Sequence, residues 1–245
     1  MSGSIIHLSV VDSTNIYTTK QLSQSGMKEW TTVMADSQSL GKGQRGRKWD
    51  SEFGRNLLCS TVVKPVHLRV REQFLVSAAA SISVCLTLMD FGMEAQIKWP
   101  NDILVNGRKI AGLLIENQLA QDCIESSVVG LGLNVNQDEF NNYPWPATSM
   151  VKEASNQFDR EEVLHAFRDH FKTMLEATSR SKIALLNQYN ELLYAKGEVI
   201  SFQIGDLAFS ARLKGVTLLG ELVIEENGKE KQYVNGEIRL SRISA

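Results

Sequence analysis

The residues best suited to chemistry lie in a glycine-rich basic segment at residues 41–49, which we call the basic loop. It reads Gly-Lys-Gly-Gln-Arg-Gly-Arg-Lys-Trp, so glycines that let a backbone approach a ligand alternate with cations that attract phosphates or carboxylates. Its last residue, Trp49, offers a flat face to a base or a cation. A solvated surface loop has the same composition, so the segment alone predicts an anion site no more strongly than a charged surface.

A second polar segment coincides with a predicted β-hairpin. Asn106 and Gly107 separate two apolar runs, which is the strongest short signal for a type I′ turn. Residues 103–105 should therefore pair antiparallel with residues 109–116. A glycine inside such a strand often marks the close approach of a ligand or another backbone. The hairpin would gather the following residues: Lys98, Asn101, Asp102, Lys109 and Gly112.

A third polar cluster follows a predicted strand at residues 5–11 and precedes a predicted helix that ends near Gly26. Helix capping by Asp12 or Ser13 explains the cluster by itself. The same junction also presents hydroxyl and unpaired N–H groups to a polar ligand. The members of the cluster are Asp12, Ser13, Thr14 and Asn15.

The remaining pattern alternates strands with amphipathic helices, which predicts an α/β (α+β) fold. A strand at residues 30–35 should deliver Gln38 to the basic loop. Further strands are predicted at residues 56–63 and 127–136, and further helices at residues 69–91, from Asp159, and at residues 183–193. The core face of the helix at residues 69–91 is expected at Leu75, Ala78, Ala79, Ile82, Leu86 and Met89.

The spacing of hydrophobic residues changes from a helical to a strand pattern from Ala195 onward. Short β-rich runs are separated there by glycines and Asn-Gly pairs, which predicts a small antiparallel barrel or sandwich. We therefore expect two domains, at residues 1–193 and 194–245.

Composition places the chain among soluble globular proteins. It has 245 residues, 43% hydrophobic and 22% charged, and its net charge of −2 does not indicate a polyanion partner. No apolar run approaches the roughly 20 residues that span a membrane, and no signal peptide is evident, so we predict a cytoplasmic protein. Three cysteines, Cys59, Cys85 and Cys123, are expected to be reduced and buried, and the histidines show no metal-ligand spacing.

The three polar segments offer many cations and amides but few nucleophiles. We find no Gly-x-Ser-x-Gly elbow, no Cys–His signature and no Walker A loop. This profile suits catalysis by positioning and electrostatic stabilisation, as in phosphoryl or nucleotidyl transfer.

These segments resemble the motifs of biotin protein ligases. The most specific are the Lys-Trp-Pro-Asn-Asp run at residues 98–102 and the Arg-Lys-Ile-Ala-Gly run that starts at Arg108. The basic loop, the Asp-Ser-Thr-Asn cluster and a Gly-Leu-Gly-Leu-Asn run ending at Asn134 are similar to that family's motifs and stand in the right order. The resemblance implies a class II synthetase-like catalytic domain, built on a mixed sheet flanked by helices, with a C-terminal SH3-like barrel. No helix-turn-helix precedes Ile5, so a short form without DNA regulation is expected.

The resemblance also implies a two-step reaction. Biotin and ATP would form biotinyl-5′-AMP and pyrophosphate, and biotin would then pass to a lysine of a biotin carboxyl carrier protein. Mg²⁺ would be held mainly through the phosphates, so no protein metal ligand is assigned. No nucleic acid or membrane partner is expected, and the chain would be a monomer or a homodimer.

Individual positions take roles from the same resemblance. Biotin-binding residues would be Ser13, Thr14, Asn15, Gln38, Gly41, Lys42, Gly43, Gln44, Lys109 and Gly112. Residues binding ATP or the adenylate would be Lys42, Gln44, Arg45, Arg47, Trp49, Asn101, Lys109 and Asn134. The catalytic residues would be Lys109, Lys42 and Asp102. Of these, Asp102 would orient the acceptor lysine or take its proton.

The basic loop departs from the family pattern at two positions. Lys42 and Gln44 stand where arginines are common. Lys42 keeps the positive charge but lacks the bidentate guanidinium, and Gln44 carries no charge. We therefore expect this chain to retain biotinyl-AMP less tightly.

Two other functions fit parts of the sequence. A lipoate or octanoate ligase of the related fold shares the chemistry. A non-enzymatic nucleic-acid-binding module could use residues 42–48 as phosphate contacts, but the acidic net charge argues against it.

Overall fold

A seven-stranded mixed sheet forms the larger part of the protein, whose computed structural model describes residues 3–241. The strands are β1 (Ile5–Val11), β2 (Thr32–Gln38), β3 (Leu57–Val63), β4 (Ala95–Lys98), β5 (Asp102–Val105), β6 (Arg108–Ala120) and β7 (Cys123–Leu133). Their order across the sheet is β1-β2-β3-β7-β6-β5-β4. The predicted mixed sheet flanked by helices is confirmed.

Connection length decides how the strands pair. β1 and β2 are parallel because helix α1 (Thr14–Ser25) crosses between them, and every other neighbouring pair is antiparallel. The predicted hairpin joins β5 to β6, and Asn106 and Gly107 have φ values of 49° and 68°, as a type I′ turn requires.

The helices cover the sheet and enclose the core. They are α2 (Phe74–Asp90), α3 (Met150–Ala154), α4 (Arg160–Arg180) and α5 (Lys182–Glu191). Strand β3 is buried along its whole length. Ser60 contacts residues of α1, while the neighbouring Cys59 lies beside Arg168 of α4, so helices cover both faces of this strand.

The helix predicted at residues 69–91 begins with a separate 3₁₀ turn, Val70–Glu72, before α2. Four of its predicted core positions are fully buried, but Leu86 is only half-buried and Met89 is 59% exposed. The prediction for Met89 was wrong because Thr87 and Leu88, and not Met89, form the buried face of the last turn of α2. The stretch Val70–Asp90 has the length and composition of a membrane span, yet 72% of its apolar window is buried inside the fold, as in a core helix.

A second, five-stranded antiparallel sheet follows α5. Its strands are β8 (Val199–Ile204), β9 (Leu207–Val216), β10 (Leu222–Glu226), β11 (Lys229–Tyr233) and β12 (Arg239–Leu240), in the order β11-β10-β9-β8-β12. The predicted antiparallel strands are therefore present as a sheet; within residues 3–241 the edge strands β11 and β12 do not pair, and a barrel is not shown. The division into domains at residue 194 stays a prediction.

Specific hydrogen bonds join the second sheet to the β4–β5 turn and to α5. The Trp99 indole N–H donates to the carbonyl of Gly220 at 2.9 Å, and the Asn190 amide exchanges two hydrogen bonds with the backbone of Val216. Cys59 and Cys85 are buried and free as predicted, and burial raises the pKa of each thiol to about 12. Cys123 is exposed, contrary to prediction, because β7 begins at the outer end of the long β6–β7 hairpin.

Truncation within α2 should separate core positions from exposed ones. Ile82→Ala should lower the free energy of unfolding by about 2–5 kcal/mol, because Ile82 is fully buried. Met89→Ala on the same helix should change it by less than about 1 kcal/mol. Urea unfolding measures both, and equal losses would contradict this account of the core.

Candidate functional site

A cavity of about 700 Å³ opens where the basic loop, the start of α1, the β5–β6 hairpin and the second sheet meet. All but one of the predicted site residues line it. They are Ser13, Thr14, Asn15, Gln38, Lys42, Gly43, Gln44, Arg45, Arg47, Trp49, Asn101, Asp102, Lys109, Gly112 and Asn134. The structure therefore brings together segments that are more than a hundred residues apart in sequence.

Gly41 is the exception, because it is buried at the base of the basic loop. Its carbonyl accepts a hydrogen bond from the Trp49 N–H at 3.0 Å, and a Cβ atom there would lie 2.5 Å from the Trp49 carbonyl oxygen. The glycine is thus required for the two ends of the loop to approach each other, and the cavity lining does not include it.

The basic loop folds back on itself. Lys42 and Lys48 form an antiparallel bridge, and the Gly43 N–H donates to the Arg47 carbonyl at 2.7 Å. A short 3₁₀ turn, Gln44–Gly46, forms the tip. Arg45 within it has a φ of 58°, a left-handed conformation that is uncommon for a residue with a side chain.

A polar network lies at the start of α1. The Thr14 N–H donates to Gln38 Oε1 at 2.7 Å, and the hydroxyl of Ser60 lies 2.8 Å from Thr14 Oγ1 and 2.6 Å from Asn15 Oδ1. Asn15 Nδ2 donates in turn to Glu116 Oε2 at 3.1 Å. Buried polar groups joined in this way form a rigid surface that can hydrogen-bond a polar ligand.

Ser13 occupies the N-cap position of α1, yet its side chain makes no capping hydrogen bond and lines the cavity. Capping alone therefore does not explain the polar cluster. Sequence reasoning missed Ser60 and Glu116 as partners of this network. For Ser60, the available signal was the polar pair Ser60 and Thr61 in the otherwise apolar run that forms β3.

Three glycines form the floor of the cavity. Gly112 and Gly132 are directly opposed on β6 and β7, and the Trp49 indole lies on both. A Cβ atom at Gly132 would lie 2.6 Å from that ring, and one at Gly130 would overlap the side-chain oxygen of Asn15. We expected Gly112 to let a ligand lie close, whereas here the side chain of Trp49 takes that place.

A carboxylate between two lysines lies on the hairpin. Asp102 Oδ2 is 3.0 Å from Lys98 Nζ, and Asp102 Oδ1 is 2.5 Å from Lys109 Nζ. Burial would raise the pKa of Asp102, but the ion pairs with Lys109 and Lys98 outweigh it and hold the pKa below its usual value. A carboxylate with a lowered pKa is a weak base, so this geometry favours orientation by Asp102 over proton transfer to it.

Aromatic rings support both lysines. Lys98 Nζ lies 4.7 Å from the ring centroid of Trp145, and Lys109 Nζ lies 5.4 Å from that of Trp49. The backbone of Lys109 is also fixed, since its N–H donates to Pro146 and its carbonyl accepts from Thr148. Lys109 is thus a positioned cation at the centre of the cavity wall.

Two asparagines are held by main-chain contacts. Asn101 Nδ2 donates to the carbonyl of Leu113 at 2.8 Å, and Asn134 Nδ2 donates to that of Thr148 at 2.9 Å. Across residues 3–241, no group of three His, Cys, Asp or Glu side chains is arranged to hold a metal ion.

The second sheet supplies cavity residues that the sequence did not indicate. Its contributions to the lining are Gln203, Asn235, Ile238, Arg239, Leu240 and Ser241. The Asn-Gly pair at Asn235 was interpreted only as a turn, because nothing in its local sequence shows that it meets the basic loop.

The family model that matches residues 8–134 is described as the biotin/lipoate A/B protein ligase family. The chain belongs to this family. It is 30% identical to the bifunctional ligase/repressor BirA of Bacillus subtilis, over 98% of this chain and 75% of that protein. It is 35% identical to a biotin–[acetyl-CoA-carboxylase] ligase of Paracoccus denitrificans, over 52% of this chain and 53% of that one.

Solved structures agree with the sequence relatives. A biotin protein ligase from Aquifex aeolicus, in complex with biotin and ATP, superposes with a TM-score of 0.82 and 26% identity, over 98% of this chain and 99% of that one. The resemblance that the motifs indicated is thereby confirmed for the fold and the family.

Replacing Asp102 should test the lysine–carboxylate–lysine cluster. The folded pKa lies below the unfolded value of about 4, so the ionised carboxylate contributes stability above that pH, and this is lost as pH falls through the folded pKa. Asp102→Asn should lower the free energy of unfolding by about 1–3 kcal/mol at pH 7, and by less as the pH drops below about 4.

Urea unfolding at pH 7 and pH 3 measures this change. Glu226→Gln, which removes the more exposed ion pair with Lys231, is the control and should cost less than about 1 kcal/mol. A loss on Asp102→Asn that is identical at both pH values would contradict the assigned ion pairs.

Proposed function

We propose that this chain is an ATP-dependent biotin ligase. It forms biotinyl-5′-AMP and then transfers biotin to a lysine of a biotin carboxyl carrier protein. One observation carries the proposal: a single cavity gathers the basic loop, the polar start of α1 and Lys109, in a chain that superposes over 98% of its length on a ligase solved with biotin and ATP.

The first step joins two anions. A carboxylate oxygen of biotin attacks the α-phosphorus of ATP, the bond to the β-phosphate breaks, and pyrophosphate leaves. Lys109 and Lys42 line the cavity where they can neutralise the repulsion between the carboxylate and the phosphates. ATP enters as its Mg²⁺ complex, with the ion held mainly through the phosphates.

Lys109 carries three N–H donors, so it can contact the reacting groups while one N–H stays on Asp102. Lys98 pairs with the other oxygen of that carboxylate, so Asp102 keeps an ion pair in either case. Asn101 and Asn134, fixed by the backbone, contact the nucleotide. The basic loop shields the mixed anhydride from water, which would otherwise hydrolyse it.

In the second step the acceptor lysine attacks as a neutral amine. Its nitrogen bonds to the carbonyl carbon of the adenylate, the bond to the phosphate oxygen breaks, AMP leaves, and the nitrogen releases its proton to water. Asp102 orients the incoming amine. Relatives named biotin–[acetyl-CoA-carboxylase] ligase support a carrier domain of a carboxylase as the acceptor. Cytoplasmic location, the absence of DNA regulation, and the choice between monomer and homodimer stay predictions.

The polar network favours biotin over lipoate. The ureido ring of biotin has donors and acceptors that match the amide and hydroxyl groups of Asn15, Thr14 and Gln38. The dithiolane ring of lipoate has no amide N–H or carbonyl with which to hydrogen-bond this polar surface, which is a basis for discrimination against it.

The direct test is incubation with MgATP and a carrier domain, with biotin or lipoate, read by the mass of the carrier. Wild type should add biotin, and add lipoate at least about 100-fold more slowly. Lys109→Ala should lose about 100-fold or more of the rate, because a positioned cation on the developing charge is removed. Lys172→Ala, an exposed lysine of α4, is the matched control. No mass gain with wild type would refute the proposed function.

The uncharged Gln44 should weaken retention of the adenylate. In Gln44→Arg, a charge-assisted hydrogen bond to the phosphate is about twice as strong as the neutral one that Gln44 accepts from Asn235 and that the variant loses, so adenylate release should slow by about tenfold. Release is measured by forming labelled biotinyl-AMP on the protein, adding an excess of unlabelled biotinyl-AMP and following the loss of bound label. Equal rates for wild type and variant would show that the missing arginine does not limit retention.

A further inference from the structure

We propose that Asn235 is a positioning residue that holds the tip of the basic loop against the second sheet. Its consequence for adenylate retention rests on the proposed function, whereas the contact itself does not. Asn235 lies between β11 and β12, far in sequence from the loop that it meets.

A single side-chain amide makes both contacts. Asn235 Oδ1 accepts a hydrogen bond from Arg45 Nη2 at 3.2 Å, and Asn235 Nδ2 donates to Gln44 Oε1 at 3.2 Å. Asparagine suits this position because its amide carries an acceptor and two donors on adjacent atoms. The two residues that it engages form the start of the 3₁₀ turn at the loop tip.

The next residue, Gly236, has no side chain and leaves space for Arg45 of the loop. Gly236 has a φ of 105°, and a Cβ atom built there would overlap the guanidinium of Arg45. A side chain at this position would therefore displace Arg45. Arg45 adopts a left-handed backbone conformation in the same contact, so the two segments of the chain meet through unusual backbone geometry.

The turn that carries Asn235 is itself fixed. The Val234 N–H donates to Glu237 Oε2 at 3.0 Å, and the Glu237 N–H donates to the Val234 carbonyl at 3.2 Å. The sheet behind it is joined to the β4–β5 turn through Trp99 and Gly220. The loop tip is therefore hydrogen-bonded to a turn of the second sheet, and this sheet is hydrogen-bonded to the β4–β5 turn that precedes the hairpin carrying Lys109.

This arrangement assigns a role to the second sheet and to Gln44. The sheet supplies one wall of the cavity and contacts the tip of the basic loop. Gln44, which cannot offer a charge to phosphate, offers an amide oxygen to Asn235 instead. Opening of the loop, and with it the escape of a bound adenylate, requires both contacts of Asn235 to break.

The chain offers a matched pair of variants. Asn235 and Asn227 each precede a glycine in a turn of the second sheet, and Asn227 is exposed at the β10–β11 turn. Asn235→Gly and Asn227→Gly both create Gly-Gly turns, but only the first removes the contacts to the loop. Limited trypsin digestion of the full chain without ligand, with cuts after Arg45, Arg47 and Lys48 read by mass, reports how often the loop opens.

Asn235→Gly should be cut in the loop about fivefold to tenfold faster than wild type, and Asn227→Gly at the wild-type rate. Adding Gln44→Ala to Asn235→Gly should increase cutting by less than Gln44→Ala does alone, because the two residues share one contact. Equal cutting of wild type and Asn235→Gly, or independent effects in the double variant, would overturn the inference.

The catalytic consequence is measured separately. Asn235→Gly should release preformed adenylate faster by a factor similar to the change in cutting, and unchanged release would overturn the role in retention. If wild type forms no adenylate at all, the proposed function fails, and the cutting rates alone decide whether Asn235 holds the loop.

Discussion

The ion cluster around Asp102 is the interaction on which the site depends. A carboxylate that is largely removed from water requires partners, and the hairpin supplies them from adjacent strands: Lys98 ends β4, Asp102 begins β5 and Lys109 lies on β6. The cluster continues outward through aromatic rings. Trp145 lies under Lys98 and donates its indole N–H to Gly107, so the type I′ turn is connected to the charged groups.

Close packing against glycines is the second constraint. Gly112 and Gly132 face each other across β6 and β7, which leaves a trough in a sheet surface that other residues would fill. Trp49 lies in that trough and beside Lys109, so the end of the basic loop is attached to the cavity floor. The tip of the same loop is attached to the second sheet. The loop therefore spans the cavity between two fixed points, which suits a cover for a reactive anhydride.

Local patterns predicted most of the elements because their causes are local. The Asn-Gly hairpin, the helix that ends at Gly26 and the strand β3 were all confirmed. The prediction for Met89 was wrong because three- and four-residue steps do not fix which residues of a final turn face the core, and here Leu88 is buried while Met89 is exposed. The closed barrel is not shown, since hydrophobic alternation predicts strands but does not determine whether the edge strands pair.

The sequence by itself determined the residue types and spacings that identify the family, the hairpin that presents Asp102 and Lys109, and the charge pattern of the basic loop. Only the tertiary structure decided how these parts meet. Ser60, Glu116 and Asn235 complete the site through hydrogen bonds between residues 45 to 191 positions apart. Such contacts depend on strand order and on the position of the second sheet. Hydrogen bonds of this kind leave no periodic signal along the chain, because either partner is an ordinary polar residue in its local sequence.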